Sequence, residues 1–192
     1  MVTIDPLQSA RTAAQAGRWT EAREAFAAAA AADESADALE GLGRACWWLG
    51  DVRSAVHHRE RAFSLLRHAG REDEATMAAL DLCIWYLTNL ENDAAADGWL
   101  ARASRTAERT TDPVVRGWLV LISAYLSSDT TQQRDGLEKA RRLAVQASDD
   151  GLYAMALADL GLLLVAGGEA SGSVSIPDKS AVNRACACAW PP

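Results

Sequence analysis

The sequence predicts an all-α protein of stacked helical pairs, and three observations carry that expectation. A Gly and Ala pattern recurs at fixed spacing: Gly17, Ala22 and Ala29 return as Gly50, Ala55 and Ala62, each thirty-three residues on. A longer echo links Ala36, Ala38, Leu39, Leu42, Gly43 and Gly50 to Ala154, Ala156, Leu157, Leu160, Gly161 and Gly168, all displaced by 118 residues, or three repeats of about thirty-nine. The composition agrees, because apolar residues reach 49% with only two Phe, and small side chains let helices approach while strand formers stay sparse.

Each element follows from local signals. Asp5 before Pro6 opens a first helix that runs to about Ala16 and stops at Gly17. A second, from about Thr20 to Ala32, carries the stripe Ala22, Ala25, Phe26 and Ala29, and its six consecutive alanines are good helix formers. Ser35 caps a third helix that ends at Gly50, and Asp51 caps a fourth that ends near Gly70. The third pair spans Arg71–Leu90 and Asn92 to about Glu108. Asp112 with Pro113 repeats the opening signal and starts a fourth pair, split near residues 127–129. Asp149, Asp150 and Gly151 read as a turn before a ninth helix from Leu152 to Ala166. The expected organisation is a repeat array over residues 1–168, followed by an irregular, disordered tail over 169–192.

At this point a family resemblance emerges. Residues 38–63, in outline ALxxLGxxCxxxGDxxxAxxxxxxAF, resemble the tetratricopeptide repeat, with Leu42 and Gly43 in helix A, Gly50 at the turn, and Ala55 and Ala62 in helix B. Gly17, Trp19, Ala22, Phe26 and Ala29 match helix B of a preceding repeat, with Ser9 and Ala10 in place of Leu-Gly. The third and fourth repeats differ in length and lack the turn glycine. The segments ALEGLGRACWWLGD, GWLARA and ALADLGLLLVAGG are similar to the helical repeat region of actinobacterial LuxR-type transcriptional regulators and of cyclase-linked relatives. That resemblance spans about residues 5–168 and implies a tetratricopeptide-like antiparallel helix-pair solenoid of about nine helices. It further implies a protein- or peptide-binding module of the sensor or coupling kind, whose mechanism is recognition in a concave groove lined by the A helices. The alternative is a truncated transcriptional regulator without its DNA-binding domain.

Charge narrows the partners. A formal charge of −7 and an acidic isoelectric point oppose direct nucleic-acid binding, which rests on Lys and Arg neutralising phosphates. The longest apolar stretch, residues 151–166, is interrupted by Asp159 and too short to span a bilayer, and no basic n-region follows Met1. A cytoplasmic location and a protein or peptide partner are therefore expected, with no membrane. Cys46 and Cys83 fall inside helical patterns as small apolar groups.

For catalysis the sequence offers no phosphate-binding Gly-rich loop and no nucleophile elbow, so no enzyme and no cofactor are expected. Adjacent His57 and His58 diverge on a helix and Cys186–Cys188 lacks a second pair, so no metal is expected either. Arg59, Glu60 and Arg61 read as a solvated helix face. The candidate partner-binding groove is Asp37, Glu40, Arg44, Trp47 and Trp48, the inner positions of helix A in the second repeat. Aromatic and Arg side chains dominate binding hot spots, and the two adjacent Trp residues point about 100° apart, so they serve different neighbours.

The pattern breaks after Gly168. Ser173 stands where helix B requires Ala, amid Gly, Ser and Pro, which suggests a shifted reading frame or a truncation from about Glu169. Without a covering helix, Leu157, Leu160, Leu163 and Leu164 form an exposed stripe, and self-association through this C-terminal helix is expected.

Overall fold

The computed structural model describes residues 5–167, and among these every regular element is an α-helix. The elements are α1 (Pro6–Gln15), α2 (Trp19–Ala32), α3 (Ala36–Trp48), α4 (Val52–His68), α5 (Glu72–Thr88), α6 (Asp93–Ala107), α7 (Pro113–Tyr125), α8 (Thr130–Ala147) and α9 (Asp150–Ala166). The predicted all-α class and the helix order hold. The readings of residues 169–192, including the broken repeat and Cys186–Cys188, lie outside the described residues.

Helix starts follow the capping chemistry in the sequence. Asp5 Oδ1 accepts the Leu7 N–H at 3.0 Å and Asp112 Oδ1 that of Val114 at 2.8 Å, each with Pro at the first helical position. Ser35, Asp51, Asn92 and Asp129 cap α3, α4, α6 and α8 in the same way. One boundary differs from expectation. Asp149 is the cap of α9, accepting the Leu152 N–H at 2.6 Å, so Asp150 and Gly151 are helical instead of forming a turn. The reversal falls on Ser148, whose φ is 54°.

Glycine turns close the helices of the first repeats. Gly17, Gly50 and Gly70 have φ of 71°, 80° and 70°, a region that costs a side chain strain and glycine nothing. After α5 the same reversal uses Glu91, with φ 49°, which explains the missing glycine signal in the third pair.

The described chain comprises two compact units that meet in sequence between Glu108 and Arg109. In the first, successive helices α1 to α6 pack against one another as antiparallel neighbours. Ala22, Ala55 and Ala62 are fully buried and Ala29 nearly so, the small-residue seam that the repeat spacing demanded. α5 is the most deeply buried helix of this unit, packed between α4 and α6, and its Leu80, Leu82 and Cys83 are wholly inaccessible. In the second unit α7, α8 and α9 pack together around Trp118, Leu121, Leu137, Ala140 and Leu152. The expected leucine stripe on α9 is present in part: Leu157 and Leu164 are exposed, while Leu160 and Leu163 are half-buried. No helix among the described residues is long and apolar enough to cross a membrane.

Candidate functional site

The candidate site lies in the first unit, where α3 and α5 carry charged and aromatic side chains to each other. It begins with a ladder of ion pairs. Asp37 on α3 accepts from Arg11 of α1 at 2.8 Å and from Arg71, the residue before α5, at 2.7 Å. Arg71 also pairs with Glu74, and with two carboxylates around it its guanidinium is held more firmly protonated than usual.

Below this ladder sits Arg59, which the sequence reading placed on a solvated face. The structure corrects that expectation: Arg59 is 3% exposed, it donates to Glu40 at 3.0 Å, and its other terminal nitrogen pairs with buried Asp81 of α5. Burial lowers its proton affinity, and Glu40 opposes the loss. Its neighbours in the run differ, since half-buried Glu60 accepts from the Tyr86 hydroxyl at 2.9 Å and exposed Arg61 pairs with Glu34. A signal for Arg59 existed in the periodicity. Ala55, Arg59, Ala62 and Leu66 follow i, i+4, i+7, i+11, so Arg59 shares the buried stripe of α4. Asp81 likewise stood out as one acid in the apolar run AALDLCIWYL.

The two tryptophans separate as their helical offset requires. Trp47 stacks on Trp85 of α5, ring centroids 4.5 Å apart and planes 10° from parallel, and the Arg59 guanidinium lies 5.9 Å from the Trp85 ring. Trp48 turns the other way and stacks on Trp19 of α2 at 5.2 Å. Trp47 is half-buried, whereas Trp48 and the adjoining Leu49 are 37% and 38% exposed. Arg44 is half-buried one turn before these rings, with its proton affinity lowered by burial and raised by Glu40. The structure thus brings Asp37, Glu40, Arg44 and Trp47 to the α3 surface that looks toward α5, and sends Trp48 toward α2. Arg11, Arg59, Glu74, Asp81 and Trp85 complete the arrangement; the sequence reading did not include them.

The chemistry of the surface is balanced. Four carboxylates, Asp37, Glu40, Glu74 and Asp81, face the guanidinium groups of Arg11, Arg44, Arg59 and Arg71. Oxygens of Asp37, Glu40 and Glu74 lie within 4.8 Å of one another, close enough for a divalent cation, yet each already accepts from an Arg, and a cation would have to displace those pairs. His57 is exposed and meets half-buried His58 edge to face at 5.4 Å. Burial and the neighbouring His57 push the His58 imidazole toward its neutral form. Cys46 and Cys83 are buried free thiols; burial pushes Cys83 up to about 11, which leaves it unreactive at neutral pH.

No protein-family model and no curated protein matches the chain. Among solved structures, it is similar to a chain from Podosopora anserina whose description reads "putative kinesin light chain nearly identical TPR-like repeats". A crystal structure of a point variant of that protein aligns with TM-score 0.61 and 16% identity over 95% of this chain and 93% of that one. A second crystal structure of the protein gives TM-score 0.59 and 16% identity over 96% and 92%. At such identity the likeness concerns the fold, and it shows an all-α, tetratricopeptide-like helical repeat.

Proposed function

We propose that this protein is a non-catalytic scaffold that binds a protein or peptide at the α3 surface formed by Asp37, Glu40, Arg44, Trp47 and Trp48. The observation that carries the reading is Trp48, a large ring left 37% exposed yet fixed by its stack on Trp19. An immobilised, accessible aromatic loses little entropy on contact, which is what a binding anchor needs. Half-buried Arg44 and the paired carboxylates beside Trp47 supply polar groups for a peptide main chain. The repeat fold supports the same reading, because stacked helix pairs expose extended surfaces. The segments ALEGLGRACWWLGD, GWLARA and ALADLGLLLVAGG further support assignment as the sensor or coupling module of a LuxR-type regulator acting in the cytoplasm.

The test selects binders from a displayed random-peptide library on the unmodified protein, then measures them against Trp48→Ala, Arg44→Glu and, as control, exposed His57→Ala. Loss of an anchor should weaken binding by about thirtyfold, the scale of a hot-spot truncation. His57→Ala should leave it unchanged. Binders indifferent to both Trp48 and Arg44 would defeat the reading.

A further inference from the structure

Arg59 carries a charge into a seam that the preceding repeat fills without one. Phe26 and Arg59 hold the same place in the thirty-three-residue spacing that carries Ala22 and Ala29 to Ala55 and Ala62. Phe26 of α2 is 4% exposed and lies against Gly41 of α3, so close that an added Cβ would meet its ring. One repeat later Arg59 of α4 is just as buried, but it meets carboxylates on both sides, Glu40 of α3 at 3.0 Å and Asp81 of α5. An apolar side chain therefore satisfies this position in the repeat, and a buried ion pair is often no more stabilising than apolar groups of its size. The pairing is also incomplete, since the buried Nε of Arg59 meets no hydrogen-bond acceptor among the described residues. Stability does not account for the guanidinium.

Its geometry offers another reason. Carboxylates on two different helices hold its two terminal nitrogens, which fixes the plane of the group as well as its position. The Trp85 ring lies over that plane with its centroid 5.9 Å away, and Trp85 in turn stacks on Trp47 at 4.5 Å. We infer that Arg59, held by Asp81, is a positioning residue of the α3 surface: it touches no partner, but it orients Glu40 directly and Trp47 through Trp85. The inference rests on that surface being the binding site.

Two double variants remove the charges while keeping the seam filled. One is Arg59→Met with Asp81→Leu; the other, Arg59→Phe with Asp81→Gly, copies the contact of Phe26 with Gly41. At least one should stay close to the parent's urea midpoint. To that variant, a fluorescein-labelled, library-selected peptide whose affinity falls with Arg44→Glu should bind about tenfold more weakly by anisotropy, the scale for groups that act on a site without touching its ligand. The exciton-coupled circular dichroism of the Trp47–Trp85 stack, taken as the difference between each chain and its Trp47→Phe form, should diminish as well. Parental affinity or an undiminished coupling band in a folded variant overturns the inference. Unfolding of both variants overturns it too, because the pair would then be purely structural. Selected peptides that respond to Trp48→Ala and not to Arg44→Glu overturn it while leaving the binding site standing; peptides indifferent to both remove the site as well.

Discussion

Removing Asp81 should expose how much the first unit depends on the charge buried at its centre. In Asp81→Ala, Arg59 stays 3% exposed and keeps Glu40 at 3.0 Å, but loses its buried partner. Breaking a buried pair from one side costs about 3 to 5 kcal/mol, because the remaining charge stays desolvated. Glu40, itself partly solvated, offsets some of that cost, so the expected loss is about 3 kcal/mol. The companion change Arg59→Met with Asp81→Leu removes both charges and leaves apolar groups of comparable reach against Trp85; it should cost no more than about 1 kcal/mol. Urea unfolding followed at the helical circular dichroism band measures both. The reasoning fails if Asp81→Ala costs under about 1 kcal/mol, or if the double variant is as damaged as the single one.

Other substitutions probe the seams and the second unit. A Cβ on Gly41 would lie 2.2 Å from the Phe26 ring, so Gly41→Ala should lower stability by about 1 to 3 kcal/mol despite its better helix propensity, and Phe26→Leu in the same chain should recover part of it. Thermal melts decide between these outcomes. Ala55 is wholly buried where α4 meets α3, and Ala55→Leu should cost about 1 to 3 kcal/mol; an unchanged melting temperature would contradict the repeat register. Burial raises the Asp159 carboxyl from 3.8 to about 6, so the folded state holds its proton more tightly than the unfolded chain. Stability should therefore fall as pH rises from about 4 to about 6 and then level off, and Asp159→Asn should remove that fall and gain about 2 kcal/mol at pH 7. Equal stability of Asp159→Asn and its parent at pH 7 would show the carboxylate to be well solvated.

How far the sequence exposed this molecule depends on what kind of signal each part left. Gly17, Gly50 and Gly70 need positive φ, and Asp5, Ser35, Asp51, Asn92 and Asp112 cap helices by short-range geometry, so those boundaries were legible. Glu91 and Ser148 perform the same reversals without a glycine, and no local rule marks them. At the candidate site, Trp47 and Trp48 diverge as a 100° offset requires, but their partners Trp85 and Trp19 lie on other helices and only tertiary packing chooses them. Polar neighbours Glu60 and Arg61 mask Arg59, whose position on the Ala55–Ala62 stripe marks it as buried. Composition suggested the solvated face; periodicity held the correct answer.

The proposed binding surface runs from Asp37 to Trp48 on α3 and touches α5 through the Trp47–Trp85 stack and α2 through the Trp48–Trp19 stack. Hydrogen–deuterium exchange of the full chain, with and without a selected peptide, tests it most directly. New protection is expected in α3 around residues 37–48 and in the adjoining α2 and α5, with the outer face of α4 near His57 unchanged. Protection confined to α4, or to the second unit, would contradict it.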